Sequence, residues 1–133
     1  MGKRHAYSRK NYESLFPGSG GHDKYAAIYE SMRQSPAYKD LTGNQRDVLQ
    51  QCFFQYGKRL PAKRYPEYIP YQKDTVFSLS WDMAKGTACQ ARKTFYQDMK
   101  ALVSHGFIIV LDEGTKRRSA VYELSDHWKV WKQ

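Results

Sequence analysis

The chain has 133 residues, enough for one domain with a real core plus a tail or an insertion. A hydrophobic content of 41% with 15% aromatics excludes a disordered chain, and no apolar run approaches the length that crosses a bilayer. Lysine and arginine total 22 against 13 acids, and a formal charge of +9 favours polyanionic partners such as nucleic acid or an anionic membrane surface.

Residues 1–22 carry Lys3, Arg4, Arg9 and Lys10 and end in PGSGG, the composition of a flexible basic arm ahead of a single domain at 23–133. No apolar core follows these cations, so the segment does not read as a secretory signal. From Asp23, DKYAAIYESMRQ spaces Tyr25, Ile28, Tyr29 and Met32 at helical intervals, and Pro36 is expected to turn the chain. TGNQRDVLQQCFFQYG follows with a capping-box pattern, Thr42 and Gln45, and a stop at Gly57. Val48, Leu49, Cys52, Phe53 and Tyr56 share one face of this helix, which places it at the centre of the core.

Residues 58–73, KRLPAKRYPEYIPYQK, hold three prolines that exclude a helix. Tyr65, Tyr68 and Tyr71 recur every third residue, the period of a polyproline strand, with Lys63 and Arg64 among the cations around them. Two readings stand side by side: an auxiliary nucleic-acid surface, with cations on phosphate and rings on bases, and a long loop pinned to the domain by its tyrosines. TVFSLSW then reads as a short strand or extended lead-in, with Ser80 capping the short helix WDMAKG.

A longer helix is expected from between Thr87 and Gln90 to about His105, closed by Gly106. Ala91, Phe95, Met99 and Leu102 fall on its inner face, and Asp98 projects the same way. Its outer face shows Gln90, Lys93, Gln97 and Lys100, flanked by Arg92 and Tyr96, with no acid. FIIVLDEG, TKRRS and AVYELSD follow as a hairpin turning around Gly114, whose tip holds Lys116, Arg117 and Arg118. SDHWKVWK closes the sequence with Trp128 and Trp131 as anchors. Helix, short helix, tight turn, longer helix and hairpin define a mainly α fold with a small β-hairpin (α+β), in the winged helix-turn-helix arrangement. In that arrangement the longer helix fits the major groove, where Gln pairs with adenine and Lys or Arg with guanine.

The segments TFYQDMKALVSHGFIIV and VYELSDHWKVW, with SPAYKDLTGNQRDVLQQCFFQYG upstream, resemble winged-helix proteins of bacterial plasmids, phages and integrative elements, including replication-initiator-like domains. The resemblance runs from about Tyr25 to Trp131. It implies that residues 91–104 form the recognition helix and 107–124 the wing. It also implies that the partner is double-stranded DNA, in transcription control or replication of a mobile element.

Catalysis is not expected. His5, His22, His105 and His127 form no His-x-His pair, and no GxxxxGK[ST] loop is present. Asp112 and Glu113 are adjacent on a strand and point to opposite faces. No metal or cofactor is implied. Cys52 and Cys89 lack a CxxC partner and read as reduced thiols of a cytoplasmic protein. Two other functions fit the same residues. One is a module docking a replication or transcription protein through Tyr65, Tyr68, Tyr71 and Trp131. The other is a single-strand binder using the tyrosine loop. A homodimer is compatible with either duplex reading.

Overall fold

The computed structural model describes residues 27–85 and 91–133, the side chain of Tyr71 excepted. The basic arm with Lys3, Arg4, Arg9 and Lys10, and also Cys89 and Gln90, lie outside the described residues. The fold is α+β. Its helices are α1 (Glu30–Arg33), α2 (Pro36–Asp40), α3 (Gly43–Phe54), α4 (Trp81–Ala84) and α5 (Arg92–Ser104). Strands β1 (Val76–Ser78), β2 (Ile108–Asp112) and β3 (Val121–Leu124) form one antiparallel sheet in the order β1-β3-β2. The hairpin expected from sequence is therefore extended to three strands, with Val76 opposite Glu123 and Phe77 opposite Tyr122.

Two expectations at the N-terminal end are corrected. Of the helix anticipated from Asp23, residues 23–26 lie outside the described residues; among those described it is a single turn starting at Glu30, because Tyr29 holds an extended backbone (ψ 148°) and points outward, 75% exposed. Pro36 keeps Ser35 out of helix, as expected (ψ 147°), but it begins a helix where a turn was expected. Its ring pre-sets the φ of a first helical residue, and Ser35 Oγ accepts the Tyr38 N–H at 3.2 Å to cap α2.

The capping box of α3 is present. Thr42 Oγ1 accepts the Gln45 N–H at 3.2 Å, and Gln45 Oε1 accepts the Thr42 N–H at 3.0 Å. Val48, Leu49 and Cys52 of α3 are fully buried. Tyr56, expected on the same face, is 59% exposed, because α3 ends at Phe54 and the chain turns through Gly57 at φ +82°.

The sheet has two covered faces. Phe77, Ile108 and Tyr122 join Val48, Leu49, Phe95, Met99 and Leu102 in the main core, between the sheet and the packed pair α3 and α5. Alternate residues Val76 and Val121 point the other way, into a smaller cluster with Leu60 and Tyr65 of the 58–73 loop. That loop is closed at its base by the Gln72 side chain, whose Oε1 accepts the Leu60 N–H (2.9 Å) and whose Nε2 donates to Lys58 O (2.8 Å).

The C-terminal segment folds back as a 3₁₀ turn, His127–Val130. Trp128 stacks on Phe107 with ring centroids 6.1 Å apart, and Trp131 on His105 at 4.6 Å, so both act as anchors. Among the described residues no helix is long and apolar enough to cross a membrane.

Candidate nucleic-acid interface

Spacing makes α5 two-faced. Phe95, Met99 and Leu102 recur at i, i+4 and i+7 and are buried, whereas Arg92, Lys93, Tyr96, Gln97 and Lys100 are exposed on the other side. Ala91 is exposed and not inward, because its extended backbone (φ −118°, ψ 144°) precedes the first helical turn. Asp98, the acid of this helix, is turned inward and only 6% exposed. Burial raises its carboxyl above the usual carboxylate range, against the opposing effect of a hydrogen bond from the Gln45 side chain. The outward face of α5 consequently offers cations, an amide and a tyrosine ring, with no carboxylate of its own.

Trp81 of α4 sits at the junction with α5. The Arg92 guanidinium lies 5.2 Å from its ring centroid and the Lys85 ammonium 5.0 Å. Lys85 also pairs with Asp82 at 3.1 Å. Lys85 is a cation that the sequence reading passed over. Its signal was the i, i+4 spacing from Trp81 on a helix that Ser80 caps, with Oγ 3.3 Å from the Met83 N–H. Between α5 and the hairpin runs an open groove of about 560 Å³, with Tyr96, Lys100 and Val103 on one wall and Val110, Glu113 and Tyr122 on the other.

Pairing of β2 with β3 shifts register between Val110 and Asp112 and stops at Asp112 opposite Val121. Beyond it the chain reverses through Gly114 at φ +82°, where a Cβ would lie 2.7 Å from Ala120 N and 2.9 Å from Arg118 O. Glycine is thus required both by conformation and by space. The tip is closed by Thr115 N–H donating to Arg118 O at 2.9 Å, and by Arg117 N–H donating to Thr115 Oγ1 at 3.1 Å. Lys116 and Arg117 are exposed there, as expected.

Arg118 corrects the expectation of three outward cations. Its guanidinium turns back under the tip, pairing with Glu67 Oε1 at 2.5 Å and Asp112 Oδ2 at 2.6 Å. It also donates to Arg64 O at 2.8 Å and lies 5.0 Å from the Tyr65 ring centroid. Two acids and a carbonyl within reach outcompete solvent for a planar fork of donors. The Glu67 carboxyl is held below its usual range by its own backbone N–H and by Arg118. Asp112 is lowered first by the Gly114 N–H, then by Arg118 and the Tyr68 hydroxyl.

Of the two readings of the 58–73 loop, the structure supports the loop pinned to the domain by its tyrosines over the stacking surface. Tyr65 is 2% exposed, packs on Val76 and Val121, and donates its hydroxyl to Ser119 O at 2.9 Å. Tyr68 is half-buried and meets Tyr65 edge-on at 6.3 Å. A polyproline stripe is broken by turns at 61–64 and 65–68 and by a 3₁₀ segment, Ile69–Tyr71, so the two described rings serve the sheet and offer no stacking platform. The Tyr71 ring is outside the described residues. Lys63 and Arg64 remain exposed, and the Arg118 bond to Arg64 O brings them beside the hairpin tip. Trp131, anticipated as a docking anchor, is occupied by His105.

Among the described residues no three His, Cys, Asp or Glu side chains are gathered so as to hold a metal ion. No protein-family model matches the chain, and no curated protein or solved structure is significantly similar to it.

Proposed function

We propose that this chain is a winged helix-turn-helix domain that binds duplex DNA, acting in transcription control or replication of a mobile element. Support comes from the order α3, β1, α4, α5 and hairpin, with β1 paired to the hairpin's β3. The observation that carries the reading is the acid-free outer face of α5 beside a hairpin tip bearing Lys116 and Arg117. In this reading α5 is the recognition helix. Lys93 and Gln97 approach base edges in the major groove, Arg92 and Lys100 flank them, and the wing takes phosphates. The mobile-element setting rests on the sequence resemblance alone.

The test is selection of bound sequences from a random duplex pool, followed by fluorescence anisotropy on the winner. An enriched motif that loses affinity on Lys93→Ala supports the reading. Absence of duplex binding even at about 50 mM salt, where phosphate contacts are strongest, refutes it.

One observation favours a second reading. β2 is an edge strand, and Ile109, Val110 and Leu111 are exposed in succession along it. A replication or transcription protein adding a strand there would leave Lys93 and Arg117 unused. Lys93→Ala would then be silent, and Leu111→Lys would abolish capture of that partner.

A further inference from the structure

The tip of the hairpin has little to hold it. The β2–β3 ladder ends at Asp112 and Val121, and residues 113–120 contain one isolated bridge, Thr115 to Arg118. What fixes the tip relative to the domain is therefore side-chain chemistry, and most of it passes through one guanidinium. Arg118 reaches Asp112 at the end of β2 and Glu67 and Arg64 O in the 58–73 loop. Tyr65, under the same guanidinium, donates to Ser119 O on the neighbouring residue of the tip. The loop itself is anchored through Leu60 and Tyr65 to the back of the sheet. The hairpin tip and the loop are thus joined at a point three positions or fewer from Lys116, Arg117, Lys63 and Arg64.

We infer that Arg118 is a positioning residue, which locks the wing to the 58–73 loop so that Lys63 and Arg64 stand with Lys116 and Arg117 as one phosphate-binding ridge. This deepens the duplex-DNA reading and rests on it. A guanidinium suits the task and an ammonium does not. Two carboxylates and a carbonyl in different directions need a planar fork, whereas Lys presents a compact point charge. Glu67 and Asp112 then have a role that their charge alone would contradict. They sit beside a polyanion-binding surface because the geometry they impose outweighs the repulsion they add.

That contradiction supplies the test. Glu67→Gln raises the net charge by one, so long-range electrostatics predicts tighter DNA binding, and the positioning role predicts weaker. Arg118→Lys keeps the charge, so a direct phosphate contact predicts near-native affinity, and the positioning role predicts the same loss as Glu67→Gln. Both variants are measured by anisotropy on the selected duplex across a salt series, and amide hydrogen exchange at residues 113–120 is followed without DNA. The expected result is faster exchange at the tip in both variants and affinity lower by about tenfold. The log-affinity against log-salt slope should also be shallower by up to about two units, one for each misplaced wing cation.

Unchanged exchange overturns the lock, whatever happens with DNA. Faster exchange together with tighter binding by Glu67→Gln, or with native affinity in Arg118→Lys, overturns the positioning role. If the unsubstituted protein binds no duplex, the functional reading fails, and exchange in the two variants still decides whether Arg118 holds the tip.

Discussion

Replacing Asp98 by Asn would remove a charge from the contact between α5 and α3 while keeping the side chain's shape and its hydrogen bond from Gln45. Asp98 is 6% exposed, and its Oδ2 has no hydrogen-bond partner among the described residues. Gln45 is already committed through Oε1 to the Thr42 N–H, which leaves its amide nitrogen as the donor toward Asp98. One donor for a buried carboxylate leaves the charge under-solvated, a penalty on the order of 1–3 kcal/mol. Burial raises the folded-state pKa above the unfolded value. In the window between the two, the folded chain binds more protons, so the contribution of Asp98 to stability falls as pH rises through it. Above the folded pKa the loss is complete. Asp98→Asn should accordingly raise stability near neutral pH by about 1–2 kcal/mol, about 4–8 °C in melting temperature for a domain of this size. Below about pH 2.5, well under the usual aspartate value of about 3.9, where the carboxyl is protonated in both states, the two proteins should melt together. Calorimetry of both proteins across the pH range makes the comparison, and effects of Glu67 and Asp112 cancel in the difference. A gap independent of pH, or a loss of stability in the Asn variant near neutral pH, would refute the reasoning. The first would mean that the Gln45 hydrogen bond offsets desolvation, the second that it outweighs it.

Other outcomes can be measured beside it. Removing one phosphate-contacting cation changes the salt slope by about one unit, so Arg117→Ala should weaken duplex binding ~15-fold at about 50 mM salt and ~4-fold at about 200 mM. That loss should be uniform across DNA sequences, whereas Lys93→Ala and Gln97→Ala should change which sequences a random pool yields. Gly114→Ala places a Cβ 2.7 Å from Ala120 N at a positive φ, and should cost about 1–2 kcal/mol in chemical denaturation while raising amide exchange at the tip. Thr42→Ala opens the capping box of α3 and should cost about 1 kcal/mol in the same assay, with duplex affinity unchanged.

What sequence could reveal depended on how local the cause was. The α3 cap, the inner face of α5 at Phe95, Met99 and Leu102, and the reversal at Gly114 are set by residues within one or two turns of each other, and each was legible. Asp98 was assigned to the inner side from angular position alone. The second face of the sheet was not legible, because Val76 and Val121 meet Leu60 and Tyr65 across loops with no regular period. The spacing of Tyr65, Tyr68 and Tyr71 imitated a polyproline stripe, although turns at 61–64 and 65–68 override it. Pro36 marks the break at Ser35, but a proline ends a helix or begins one, and the capping Ser35 beside it is the sign that a helix begins. Arg118 could not be told from its two neighbours, since its partner Glu67 lies 51 positions earlier and nothing in TKRRS marks it.

The placement of acids explains more of the surface than the net charge does. Glu30, Asp74, Asp82 and Glu123 each lie within 4 Å of a lysine or arginine, and Asp40 meets His105 at 2.7 Å. Glu67 and Asp112 share Arg118, and Asp98 is buried. Exposed pairs of this kind add little stability, about 0–1 kcal/mol each, but they neutralise local field. Among the described residues Lys63, Arg64, Arg92, Lys93, Lys100, Lys116 and Arg117 have no carboxylate within 4 Å, and they fall on α5, the hairpin tip and the loop joined to that tip. Lys39, Lys129 and Lys132 are also without a carboxylate, on α2 and the C-terminal segment, where Asp40 meets His105, and so is Arg46 of α3, whose guanidinium donates to the Tyr38 and Lys39 carbonyls. A chain that was merely basic would leave its unpaired cations scattered. Here the internal use of Arg118 and the burial of Asp98 each withdraw a group whose exposure would alter the α5–hairpin surface, where Glu113 on the hairpin wall of the groove is the exposed carboxylate that stays among the described residues. Arg118, the hairpin-tip cation withheld from that surface, is the one placed to hold Lys116 and Arg117.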